Sequence, residues 1–369
     1  FYSEKYTKNF PRGNVILLFL YFVFVVIATN GSFLTLYTYK SSSFLWMIGY
    51  FFLGLHLFKN IKFNNFHVYS LILAPVVIYF FNSGNYPDVI MKFFETYGDK
   101  FQFNKGSDIL MVFIFCIFLL KDLMANEEKF LTYVNLMASL LLPLFLSLSR
   151  ASFFSCCILV FSVNVANGKI IKSSLRKSLG FLFLAILVFI ISTIRIAGLP
   201  ELGKRTEEPI AIIQESVTEV VERKSVNKYF GLYICEERLC SEDNTLDWRL
   251  DIWSDLINDQ IKKGSLIIGF GFNEIFEVMK DPNAPGRLGR DGLNENVHNH
   301  LFTVIGRMGL IGLFVYILFQ YKLVIHLKAN ILIYLLPLFL LSSFDTTMES
   351  IQFPFLYYFL ISFHYSNKK

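Results

Sequence analysis

Long apolar runs separated by short polar segments dominate the chain. They lie near residues 14–29, 43–58, 64–81, 107–120, 130–149, 151–166, 178–197, 301–320, 331–344 and 351–365. A bilayer core takes about 20 apolar residues as helix, and fewer where flanking side chains reach the interface. The runs therefore predict about ten transmembrane helices. The count is eleven or twelve if the ambiguous segment 30–42 or helices upstream of residue 1 are included, since the sequence does not begin with Met. Most of the cores carry no charge, as hydrocarbon demands. The first run reads as a retained helix, because no cleavage site follows it.

One stretch, about 198–300, breaks the pattern. Ile210, Ile213, Val217 and Val220 recur at helical spacing over 207–223, and Leu250, Trp253, Ile257 and Ile261 over 246–262. Lys262, Lys263 and Gly264 suit the end of the second helix. Residues 281–297 are rich in Gly, Pro and Asn and predict an irregular loop. The expected fold class is thus an all-α integral membrane protein. Its parts would be an N-terminal transmembrane bundle (1–197), a large polar loop domain (198–300) and C-terminal transmembrane helices (301–369). No internal repeat is visible.

Composition sharpens this picture. A chain of 369 residues that is 54% hydrophobic, with mean hydropathy +0.50, has too much apolar surface for a soluble interior. The formal net charge of +5 does not indicate nucleic-acid binding, because the basic residues flank apolar runs instead of forming one patch. Their distribution orients the chain. With the N-terminus cytoplasmic, the inner short loops and termini hold fifteen Lys and Arg, among them Arg12, Lys62, Lys121, Lys172 and Lys322. The outer short loops hold five: Lys40, Lys92, Lys100, Lys105 and Arg150. Both termini are then cytoplasmic, and the polar insert, with 19 of the 29 acidic residues, is outside. Cys116, Cys156 and Cys157 lie in apolar runs and read as small hydrophobic fillers. Cys235 and Cys240 lie in the insert, where an oxidising compartment permits a disulfide that their spacing alone does not decide.

Few residues break the apolar pattern in a way that suggests chemistry. Arg150 sits where two apolar runs meet on the expected outer side. It either snorkels to the interface or holds an anion such as a diphosphate, which a guanidinium grips with two donors. The flanking runs offer it no acid. Arg249 has a simpler reading as a surface ion pair with Asp247, Asp251 or another of the plentiful acids nearby, and Arg205 carries still less signal. His298–Asn299–His300 stands just before an apolar run. Its histidines can be an interfacial pair, metal ligands or a general base. No Cys, Asp or His cluster stands at zinc spacing nearby, and Asp291 and Glu295, the carboxylates that could serve as ligands, form no specific pattern. The three letters also spell a nuclease motif, but a membrane-edge loop provides neither the ββα fold nor the nucleic-acid surface it needs. Gly269–Phe270–Gly271 is no phosphate loop, since no Lys–Ser/Thr follows it. It predicts a tight turn back toward the membrane.

In order, Ser149–Arg150–Ala151, a long polar insert, Arg249 with Trp253, Ile268–Gly269–Phe270–Gly271–Phe272, and Val297–His298–Asn299–His300–Leu301 leading into Gly306–Arg307–Met308–Gly309–Leu310–Ile311–Gly312 resemble the superfamily of O-antigen polymerases and ligases. The resemblance covers roughly 130–365. It implies a C-type glycosyltransferase fold in the bacterial inner membrane, with the active site on the periplasmic face. It also implies transfer of a glycan from an undecaprenyl-diphosphate-linked oligosaccharide without metal or cofactor. By position, His298 matches the family's catalytic histidine, and Arg150 and Arg249 its diphosphate-binding arginines. Arg205, Asn299 and His300 are candidate substrate contacts. Membrane lipid and a chain-length regulator protein are implied partners. The ligase relatives carry a His two residues before the His–Asn pair, where this chain has Asn296, which favours polymerase over ligase. A lipid-linked oligosaccharide transporter is a more distant alternative. Transporters place charges near the midplane and show paired repeats, and neither is visible here.

Overall fold

A computed structural model describes residues 10–60, 63–82, 105–168, 175–197, 231–235, 238–281, 295–325, 329–344 and 348–366, with 89, 92, 284, 287 and 327. The helix expected over 207–223 and the candidate Arg205 lie outside the described residues. In chain order the helices are α1 (Arg12–Ala28), α2 (Leu36–Ser41), α3 (Ser43–Trp46), α4 (Gly49–Asn60), α5 (Asn65–Asn82), α6 (Gly106–Leu123), α7 (Glu127–Leu148), α8 (Arg150–Ala166) and α9 (Leu175–Ala197). The strands β1 (Leu232–Cys235) and β2 (Arg238–Ser241) follow, and then α10 (Asn244–Lys262), α11 (His300–Val324), α12 (Ala329–Phe344) and α13 (Gln352–Ser366).

Every apolar run is helical, although 43–58 is split into α3 and α4. Among the described residues, four helical segments, Asn65–Asn82, Glu127–Leu148, Leu179–Ala197 and His300–Val324, are long and apolar enough to cross a bilayer. The insert corrects the purely helical expectation. Its β1 and β2 pair antiparallel, with Leu232 opposite Ser241 and Cys235 opposite Arg238, and a Cys235–Cys240 disulfide links them.

The chain forms two compact units, each assembled from separate stretches. The first comprises Phe1–Asn60, Lys228–Lys328 and Ser342–Lys369. In it α11 packs on α1, and α13 on α4. The amphipathic α10 buries Ile252, Trp253 and Leu256 against Phe276, Val278, Met279 and Val297. Each such side chain contributes about 1.5–3 kcal/mol of transfer free energy. This cluster is the core of the polar insert, and it brings α10 to the segment just before α11.

Helix α11 is broken at Gly309, which has φ +66° and ψ −170°. Inside a membrane each backbone group freed by such a break costs several kcal/mol unless it finds a partner. Here the returning loop supplies them. Phe270 N donates to Gly306 O at 2.8 Å and Gly271 N to Arg307 O at 3.0 Å, while Leu310 N donates to Leu266 O at 3.0 Å. Tyr21 Oη donates to Met308 O at 3.0 Å, and Gln260 Nε2 to Ile305 O at 2.9 Å. The glycine turn expected at 269–271 is therefore a splint laid along a broken helix.

The second unit comprises Ile61–Asn227 and Ala329–Leu341. In it α7 packs against α9, α8 and α6. Asn135 and Asn164 exchange side-chain hydrogen bonds at 3.1 and 2.9 Å, satisfying two amides inside an apolar interface.

Candidate functional site

The first unit places His298 on a strained turn. Its φ of +53° lies in the left-handed region, which costs a residue with a Cβ about 1–2 kcal/mol. Several contacts hold the turn. The Trp253 indole donates to Val297 O at 2.6 Å, and the Trp248 ring lies 5.0 Å from the His298 ring. Asn299 caps α11, its Oδ1 accepting from Leu301 N at 2.9 Å and Phe302 N at 3.3 Å. Its Nδ2 donates to Ser343 O at 3.1 Å, and Thr303 Oγ1 donates to its carbonyl at 3.1 Å.

The two histidines have different surroundings. His298 is half-buried, whereas His300 is buried beside Glu349, its Nδ1 2.9 Å from Glu349 Oε1. The His300 Nε2 is buried with no hydrogen-bond partner among the described residues. The ring also packs edge-on against Phe44 and Tyr316, at 5.3 and 4.9 Å. Among the described residues no group of three or more His, Cys, Asp or Glu could hold a metal ion.

Arg249 lies on α10, the helix whose Trp248 and Trp253 hold the His298 turn. The acids proposed as its partners form a stripe that binds other arginines. Arg238 pairs with Asp247 at 3.1 Å and with Asp251 at 3.3 Å. Arg287 pairs with Asp255 at 2.6 Å and also with Asp251. Residues two apart on a helix do not face one another. Position 249 lies on the side of the helix that carries Ile252 and Trp253, opposite Asp247 and Asp251.

Arg150 belongs to the second unit. Helix α7 ends at Leu148, Ser149 caps α8, and Arg150 is the first residue of α8. The first residue of α6, Gly106, packs against the same junction. A Cβ on Gly106 would lie 3.0 Å from Ser149 Cβ and 3.1 Å from Ser152 Oγ. Two helix N-termini thus meet at Arg150, each with the positive end of its dipole. Asp108 is the acid in the first turn of α6. The Ser107, Ser152 and Ser155 hydroxyls nearby in sequence are buried without a hydrogen-bond partner among the described residues. The arrangement can hold an anion.

Three further charged residues were not singled out by sequence reasoning. Burial opposes the charge of Arg287, but Asp255 and Asp251 outweigh it and hold its pKa above the ordinary arginine value. It also donates to Val278 O at 2.9 Å, closing the loop onto α10. Arg307 is buried in α11, donates to Gly271 O at 3.2 Å and to Tyr37 Oη at 2.9 Å, and lies 4.0 Å over the Phe276 ring. Glu349, the partner of His300, had one faint signal: an acid in a short segment between two apolar runs.

The His298 turn, the Arg249 helix and the glycine splint are thus assembled in one unit, and Arg150 stands at a helix junction in the other. No curated protein and no solved structure matches the chain. Residues 136–317, which contain all these features, match the family model described as O-Antigen ligase (Wzy_C), a match that supports the superfamily of O-antigen polymerases and ligases.

Proposed function

We propose that the chain is a repeat-unit polymerase of O-antigen or a similar surface polysaccharide, acting on the periplasmic face of the inner membrane. It takes a glycan from undecaprenyl diphosphate and passes it to the terminal sugar of another lipid-linked repeat unit. The observation that carries this reading is the His298 turn. A strained, half-buried imidazole is held by Trp248, Trp253 and Asn299 beside the helix bearing Arg249. In the reaction the acceptor hydroxyl oxygen attacks the anomeric carbon, and its proton passes to the His298 imidazole. The bond from the anomeric carbon to the diphosphate breaks, and its electron pair leaves on the diphosphate. That charge has to be neutralised, and Arg150, at two helix N-termini, and Arg249 are suited to do so without a metal ion.

The family model's own description, O-Antigen ligase, favours a second reading: the same donor, with lipid A core as acceptor. Asn296 favours the polymerase. A lipopolysaccharide gel from a deletion strain separates the two. The polymerase reading expects core carrying a single repeat unit, the ligase reading expects bare core, and an unchanged ladder would exclude both.

A further inference from the structure

Beneath the His298 turn, within the first unit, lies a cavity of about 70 Å³ lined by Tyr37, Lys40, Glu295, Thr303, Arg307 and Glu349. Its mouth is polar. Asn296 there is exposed, and Lys40, itself 63% exposed, bridges to Glu295 at 2.8 Å. Its floor is charged and buried, with Arg307 4% exposed and the Glu349 side chain 7%. The Nε of Arg307 has no hydrogen-bond partner among the described residues. Burial raises the Tyr37 hydroxyl above its ordinary pKa, so it remains neutral.

Two features of the lining specify the ligand. The first is charge. Two cations and two carboxylates cancel, so neither an anion nor a cation is favoured. A neutral group whose hydroxyls both donate and accept suits such walls, and a ligand carboxylate would upset that balance of charge. The second is room. On this measure a single water needs about 10–15 Å³, so the cavity has space for the hydroxyl-bearing edge of one sugar ring and not for a whole oligosaccharide. The same segment, 296–303, supplies Asn296 and Thr303 to the cavity and carries His298 between them.

We propose that this cavity is the acceptor subsite. It grips the edge of the terminal acceptor sugar and selects neutral sugars over uronic acids, with Glu349, braced by His300, as a specificity-determining residue. This assignment rests on the polymerase reading for its role, but sugar binding can be measured without transfer.

The full chain, purified into lipid nanodiscs, is mixed with methyl glucoside, methyl galactoside, methyl N-acetylglucosaminide or methyl glucuronide, and saturation-transfer NMR is recorded. At least one neutral glycoside is expected to receive saturation, and the glucuronide none. The signal should fall at least fivefold in Glu349→Gln, and also in Asn296→Trp, which blocks the mouth at an exposed position where folding is not at stake. The subsite is overturned if no neutral glycoside binds, if the glucuronide binds equally well, or if neither variant weakens binding. Loss of polymer in the deletion strain together with undiminished binding in both variants removes the subsite and leaves the polymerase. Reduced binding in the variants together with an unchanged surface glycan in the deletion strain removes the acceptor role and the polymerase with it, leaving only a sugar site.

Discussion

His298 occupies a backbone conformation that side chains with a Cβ avoid, and the contacts around it are directed at the backbone on either side. Trp253 fixes the carbonyl before it and Asn299 the helix start after it, so the imidazole is positioned from both sides of the turn. Its neighbour His300 is instead buried against Glu349. If His298 is the base, His298→Ala should lower transfer by about a hundred- to ten-thousand-fold, with normal amounts of protein in the membrane and with wild-type activity resistant to EDTA. In Arg150→Lys the charge is kept but the planar pair of donors is lost, and polymer should fall severely. Near-normal polymer from either variant, read on gels beside a membrane immunoblot, would remove that residue from its role. Both residues were visible in the sequence for the same reason: each is a polar group at the edge of an apolar run, where burial costs most. Glu349 and Arg307 were not, because their significance lies in partners far along the chain: Glu349 meets His300, and Arg307 meets Tyr37 and the carbonyl of Gly271.

At the scale of elements, the break in α11 joins the membrane part of the first unit to the polar insert. The run at 301–320 reads as one continuous helix, and nothing in its hydrophobic pattern announces the interruption. Gly309 shows its purpose only beside the 266–271 loop. A Cβ there would lie 2.2 Å from Ile267 O, and one on Gly269 would lie 2.5 Å from Arg307 O. The two glycine motifs are thus halves of one contact, and no substitution fits without separating the strands of backbone that satisfy one another. Gly309→Ala combines this clash with a positive φ, which alone costs about 1–3 kcal/mol. Its thermal midpoint in detergent should fall clearly below wild type. Gly49→Ala, with open space around it, should not change. Equal midpoints for the two variants would show that the splint is not tight. The helix at 246–262 was legible because its apolar positions keep a regular period through a polar region. The hairpin was not, since four-residue strands carry too little pattern to separate from loop.

At the scale of the whole molecule, the chemistry requires a particular side of the membrane. Lipid-linked repeat units that build a surface glycan have to meet the His298 turn outside the cytoplasm, so topology is the most exposed assumption of the functional reading. Two independent observations support it. Alternate short loops carry fifteen and five basic residues, and this bias, with the richer side inside, assigns the polar insert to the exterior. That same insert contains the Cys235–Cys240 disulfide, the state expected in an oxidising compartment. Cys116, Cys156 and Cys157, in the apolar helices α6 and α8, are free. A reporter enzyme that is active only outside the cytoplasm, fused after Asn244, should therefore be active, and the same reporter fused after Lys172 should be silent. Fusion to a cytoplasmically active reporter should give the opposite result at both sites. If both reporters invert, the arginines and histidine face the cytoplasm. A periplasmic polymerase is then excluded, however well the individual side chains are arranged for glycosyl transfer.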